Sequence, residues 1–217
     1  MRKAIRLLAF LIAASLAAAA ARAQSEKGYV GVGAGSSSAS FNSSDFSVGL
    51  PQVSESKADT STGWKAFAGM RFNENFGAEL GYADLGKFTY KYNGGGAGSA
   101  ALDYKVSGFT VSGVAIFPMF AELSLFGRLG AFGSTAKLSL ASATGNVATA
   151  LANAGITPGS SASASKTTLY FGGGAQIDFA RQFSARFEYE NYGEVGDSND
   201  TGRATVTLFS ASLLFRF

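Results

Sequence analysis

The sequence predicts an all-β chain, an eight-stranded antiparallel transmembrane β-barrel with short turns at one end and longer loops at the other. Three observations predict it. Apolar side chains recur at every second position over separate short stretches. The apolar faces end in aromatic residues, as lipid-facing strands do at the two membrane interfaces. The connections alternate between short ones near residues 74, 119 and 181 and long ones at 41–61, 87–103, 137–166 and 195–203.

The chain opens on Arg2, Lys3 and Arg6, then runs apolar from Leu7 to Ala21. Ala21-Arg22-Ala23 follows, the small-x-small pattern that signal peptidase reads. The run is short for a span of about 20 residues. Residues 1–23 are therefore expected to be a signal peptide, and 24–217 the mature barrel. The leader holds four basic residues (Arg2, Lys3, Arg6, Arg22) and no acidic one, so its removal turns a formal charge of +3 into −1. The basic balance belongs to the leader and gives no reason to expect a nucleic-acid partner. No later stretch reaches the roughly 18 apolar residues of a transmembrane helix. An exported chain of this kind can still enter a membrane if its backbone closes on itself.

The strands follow in order. Tyr29–Gly35, mostly Gly, Val and Ala, is the least patterned and completes the even number usual in bacterial barrels. In Gly63–Phe72, Trp64, Ala66, Ala68, Met70 and Phe72 share the outward face, with Lys65, Phe67, Gly69 and Arg71 opposite. Asn73-Glu74-Asn75 makes a tight turn. Phe76, Ala78, Leu80 and Tyr82 then point out and Glu79 points in. Phe109–Phe117 and Leu123–Ala131 pair across a turn carrying Pro118, with Phe126 and Arg128 inward. Leu169–Phe179 and Phe183–Glu190 pair across Ala180-Arg181-Gln182, with Arg186, Glu188 and Glu190 inward. Ala204–Phe217 closes the set. Within the 137–166 loop, Ala-rich Asn146–Ala154 could form a helix, though one too short to stand alone in water.

A soluble β-sandwich also alternates, and charged mid-strand positions suit either a solvated sandwich face or a barrel lumen. The outward aromatics (Trp64, Phe72, Phe76, Tyr82, Phe117, Phe179 and Phe183) and the alternating connection lengths favour the membrane barrel.

"FNENFGAELGYADLG" (72–86), "YKVSGFTVSGVAIFP" (104–118), "LSLFGRLGAF" (123–132), "SARFEYENYGEVGD" (184–197) and the terminal "LFRF" (214–217) together resemble the eight-stranded transmembrane domain of outer membrane protein A and its small-barrel relatives. The resemblance implies the outer membrane of a Gram-negative bacterium, with lipid and lipopolysaccharide around the barrel. It also implies that Phe217, with Phe215 and Leu213 on its face, is the terminal signal read by the outer-membrane assembly machinery. Larger family members continue into a peptidoglycan-binding domain; this chain stops at the last strand, so that function is not carried over. The family's lumen holds a glutamate that pairs alternately with an arginine and a lysine, plus a second glutamate. Glu79 and Arg186 match the first glutamate and the arginine; the lysine position falls on Val114 and the second glutamate on Gln176. A two-partner switch of that kind is not expected here.

Other motifs yield little chemistry. Gly31-Val32-Gly33-Ala34-Gly35 lacks the spacing and βαβ context of a nucleotide loop, and Gly94–Gly98 lacks a following Lys-Ser/Thr. Asn42-Ser43-Ser44 and Asn199-Asp200-Thr201 match a glycosylation pattern that carries no weight in such a protein. Glu188 and Glu190 could form an acid–base pair, but Arg186 and Arg128 can neutralise them, so Glu79, Arg128, Arg186, Glu188 and Glu190 are expected to form a lumen ion network. With no cysteine and no histidine, neither a metal nor a cofactor is expected. Enzymes built on small barrels use histidine, which argues against catalysis here. The expected role is a structural or surface barrel, a monomer, that stabilises the outer membrane and displays loops. The alternative is a small, low-conductance porin-like channel, because eight strands enclose an interior that side chains just about fill. An adhesin has no positive support, since the loops carry few aromatic or arginine anchors.

Overall fold

The computed structural model describes residues 28–41, 54–93, 98–153, 159–198 and 201–217. The expected signal peptide, the Asn42 pattern and most of the Gly94–Gly98 run lie outside them. Nine strands follow in chain order: β1 (Gly28–Phe41), β2 (Ser54–Ala58), β3 (Thr60–Arg71), β4 (Phe76–Asn93), β5 (Ser99–Pro118), β6 (Leu123–Ala143), β7 (Ser161–Asp178), β8 (Phe183–Asp197) and β9 (Gly202–Arg216). One helix, α1 (Gly145–Asn153), lies between β6 and β7.

β1 and β3–β9 make a closed ring of eight antiparallel strands. Each strand pairs with its sequence neighbours, and β9 pairs with β1 from Tyr29↔Arg216 to Phe41↔Ala204. β2 continues β3 past Asp59 along the same partner, β4. Closure removes the unpaired edges that an open sheet would carry into lipid. Outward positions are apolar: Val32, Leu80, Phe109, Leu129, Leu169 and Phe209 are each at least 60% exposed. Such a surface is sustained by hydrocarbon and not by water. Trp64, Tyr82 and Phe109 cluster at the long-loop end, with ring centroids 5.8 and 5.1 Å apart. Phe72, Phe76, Phe117, Phe179 and Phe183 sit on outward positions at the short-turn end.

The long connections are shorter than their sequences suggest. β4 runs on to Asn93, β5 begins at Ser99, β6 reaches Ala143 and β7 starts at Ser161. β-Bulges at Asp84/Lys87 and at Asn191/Glu194 hide the extensions of β4 and of β8, which runs to Asp197, from a period-two reading. Both have the same construction. Asp84 Oδ1 accepts the Gly86 N–H at 3.0 Å, and Asn191 Oδ1 accepts the Gly193 N–H at 2.8 Å. Gly86 (φ 85°) and Gly193 (φ 74°) take left-handed backbone that a side chain would strain. The extra residue flips the alternation, so Leu85 and Phe88 both point inward, as do Tyr192 and Val195. In β6 and β7 the extension is written in Ser and Ala, whose contrast in hydropathy is too small to read.

The inward side chains at the long-loop end form the main core, which includes Phe41, Leu85, Phe88, Tyr104, Phe132 and Leu208. Helix α1 adds Val147 to it. That contact supplies what the isolated nine-residue helix lacks. Pro118 closes β5, where a missing N–H breaks no further ladder bond.

Candidate functional site: the charged lumen

The site forms where six strands place long polar side chains at one depth of a narrow lumen. Lys65 comes from β3, Glu79 from β4, Arg128 from β6, and Arg186, Glu188 and Glu190 from β8. Tyr29 of β1 and Gln176 and Tyr170 of β7 complete it. Alternation alone explains why three β8 residues share the lumen, since positions 186, 188 and 190 fall on one face.

The structure brings together all five residues expected in the ion network. Glu79 Oε1 accepts from Arg186 Nη1 at 2.7 Å and from the Tyr29 hydroxyl at 2.7 Å. Its other oxygen lies 3.1 Å from Arg128 Nη1. Arg128 also reaches Glu188 at 2.7 Å and Glu190 at 3.2 Å. Tyr170 receives a hydrogen bond from Arg128 at 2.9 Å and donates its own proton to Glu190. No side chain among these charged residues is more than 5% exposed, so solvent screens the network little.

Sequence reasoning left out Lys65. Its ammonium lies 2.6 Å from Glu188 and also contacts Glu190. With it, three cations (Lys65, Arg128, Arg186) face three carboxylates (Glu79, Glu188, Glu190). The signal was present, since Lys65 stands in mid-strand on the inward face; its partners are far away in sequence and could not be assigned. Gln176 is part of the same balance. Its carbonyl oxygen accepts from Arg186 Nη2 at 3.0 Å and Nε at 3.3 Å. A glutamate there would make a fourth carboxylate against three cations.

Glu79 nonetheless has a second cationic partner. Val114 does leave the lysine position apolar, packed with Ile116 and Phe126. However, Arg128 is the direct cross-strand neighbour of Val114 and reaches Glu79 from there. The second cation has moved one strand over. Glu79 holds both arginines at once, so the contact pattern is a fixed cluster.

Apolar layers flank the charges. Toward the short turns lie Tyr29, Phe67 and Leu214 and the Val114 cluster. Arg186 stacks over Phe126, Phe67 and Tyr29 at 4.5, 5.3 and 5.6 Å from the ring centroids. A Cβ on Gly69 would collide with the Tyr29 ring, and one on Gly31 with the Phe67 ring. These glycines make the room in which both rings lie flat. Toward the long loops the lumen is closed by the main core. At the short-turn mouth, Arg216 pairs with Asp178 at 2.9 Å. There Phe217 donates its N–H to the Gly28 carbonyl at 2.9 Å, joining the last residue to the start of β1 across the barrel seam.

Comparison with known proteins agrees with this geometry. The chain is 28% identical over 154 residues to outer membrane protein A of Salmonella typhi, covering 70% of this chain and 39% of that protein. It is 26% identical over 153 residues to the Klebsiella pneumoniae protein of the same name, with 70% and 40% covered. The chain thus spans about two fifths of the length of these relatives. The crystal structure of Neisserial surface protein A superposes with a TM-score of 0.51 at 16% identity, covering 89% of this chain and 98% of that one, which supports the fold. The OmpA-like transmembrane domain matches residues 23–217, and with the closed eight-stranded ring and its apolar outer face this places the chain in that family, as an outer-membrane β-barrel of a Gram-negative bacterium.

Proposed function

We propose that this barrel is a sealed structural element of the outer membrane, displaying its long connections outward and conducting no ions. The observation that carries the reading is the filled interior. A neutral, mutually paired ion cluster occupies mid-lumen, and a buried apolar core closes the end beyond it. A porin-like channel would need a hydrated path past Leu85, Phe88, Phe132 and Leu208, each fully buried. An ion cannot cross such a layer cheaply, because an unpaired charge in an apolar interior costs several kcal/mol.

The same reading assigns no catalytic role. Glu188 and Glu190 are each held by cations, leaving neither a free base, and the chain has no histidine or cysteine. Lipid on the outer face, a monomeric state and recognition of Phe215 and Phe217 by the assembly machinery belong to this proposal too.

Planar-bilayer recording on purified, refolded protein tests it. Wild type is expected to give no stepwise conductance. Glu79→Ala is expected to stay closed as well, because the apolar core remains when the cluster is broken. Reproducible unitary currents from wild type would replace this reading with the small channel. Currents from Glu79→Ala alone would make the ion cluster the seal.

A further inference from the structure

We infer that the short-turn mouth of the lumen is a binding site for a phosphate group, with Arg71, Arg216 and Ser184 as its donors. Alternation aims all three inward. Arg71 is the last residue of β3, Arg216 the last of β9, and Ser184 the second of β8. The register sets them around one opening. Arg216 is the cross-strand partner of Tyr29, Ser184 of Leu214, and Arg71 stands two residues past Gly69, the other partner of Tyr29.

The charges at this mouth do not balance. The mid-lumen cluster sets three cations against three carboxylates. The mouth adds two inward cations, Arg71 and Arg216, but one inward carboxylate, Asp178. Both oxygens of Asp178 are occupied: Oδ2 accepts from Arg216 Nη1 at 2.9 Å and Oδ1 from Gln176 Nε2 at 2.8 Å. Arg216 Nη2 donates to the Ala180 carbonyl at 3.2 Å, and the Tyr29 hydroxyl donates to Glu79. Arg71 interacts electrostatically with Asp178 and Arg216, yet among the described residues no carboxylate lies within ion-pair distance of it. Arg71 is therefore the surplus charge. Glu74, Glu122 and Arg181 lie in the turns and are exposed, so solvent screens them.

Hydrogen bonding points the same way. Arg71 Nε, Arg216 Nε and the Ser184 hydroxyl are buried at this mouth without a formed hydrogen bond among the described residues. Ser184 as a whole is fully buried. Buried donors are almost always paired, so a set of three calls for a partner from outside the chain. Water satisfies an N–H but leaves the surplus charge uncompensated. An oxyanion satisfies both. Donors on three different strands suit the several oxygens of a phosphate better than the two of a carboxylate. A phospholipid headgroup folded over the rim and a free phosphate offer these donors the same chemistry.

Purified protein tests the site independently of orientation in the cell and of conductance. The barrel is refolded in a phosphate-free amine-oxide detergent and titrated with inorganic phosphate at constant pH and ionic strength. Its arginine Nε–Hε signals are followed by NMR. Those of Arg71 and Arg216 are expected to move along a saturable curve. Those of Arg128 and Arg186, closed into the mid-lumen cluster, should stay in place. Arg71→Gln is expected to raise the half-saturating phosphate concentration read at Arg216 about tenfold, and Ser184→Ala about threefold. Lys87→Gln, exposed at the other end of the barrel, should leave it unchanged. Soluble short-chain phosphatidylglycerol separates the two sources. Saturation at a lower concentration than inorganic phosphate supports the site with a lipid headgroup as its ligand, and saturation at a higher one supports it with free phosphate. Absence of a saturable shift with either ligand overturns the site, as does an Arg71→Gln barrel that binds like wild type. An equal response to acetate overturns the assignment to phosphate. Should a variant fail to refold, the wild-type titrations decide.

Discussion

Lys65 decides whether the lumen is neutral. It serves two carboxylates that lie on one strand with a single residue between them, and if Lys65 were lost Arg128 alone would serve both while still sharing Glu79 with Arg186. Lys65→Met is therefore expected to destabilise the barrel by about 3–5 kcal/mol, the cost of stranding a buried charge. Lys87→Met, at an exposed pair, should cost no more than about 1 kcal/mol. Urea unfolding from lipid vesicles compares them, and equal losses would mean that water screens the lumen as well as it screens the rim. Glu79 and Arg186 permit a sharper measurement. Glu79→Ala leaves Arg186 without its carboxylate and Arg186→Ala takes one of two cations from Glu79, whereas the pair removes both charges, so the double variant should cost less than the sum of the singles. A coupling energy near zero would turn the 2.7 Å contact into two independently hydrated charges.

At the scale of elements, the Asp84-Leu85-Gly86 and Asn191-Tyr192-Gly193 bulges do the same thing in two places. Each turns an extra large side chain into the main core and shifts the strand's alternation. The terminal strand has a different task. Phe217 is only half-buried, with its ring beside Phe215 and its N–H on Gly28. Phe217→Ala keeps the backbone bond and loses part of a ring's burial, at most about 1.5–3 kcal/mol. The assembled barrel should thus unfold at nearly the wild-type urea concentration, while the amount of folded protein reaching the outer membrane drops several-fold. Unchanged outer-membrane levels would remove Phe217 from any assembly role.

For the whole molecule, the pattern of connections sets the orientation. The start of β1, the end of β9 and the turns at 73–75, 119–122 and 180–182 share one mouth, and the long connections share the other. With short turns periplasmic, an epitope inserted after Gly159 should be labelled on intact cells and one inserted after Asn73 only after permeabilisation. Labelling of the Asn73 insertion on intact cells would invert the barrel.

The sequence by itself determined the fold class, the strand order, which side chains face lipid, and which charges face inward. Those properties follow from period-two alternation and turn spacing, which are local. Strand ends beyond Asp84 and Asn191 were not legible, because a bulge resets the period without changing composition. Charge partnership was not legible either. Lys65 is 123 and 125 positions from Glu188 and Glu190 in sequence, and their meeting depends on the diameter and stagger of the closed ring. The same closure moved the second cation of Glu79 from Val114 to Arg128. It also lined up Lys87, Lys105 and Lys137, three unremarkable surface lysines in the sequence that only the register of β4, β5 and β6 places in one row.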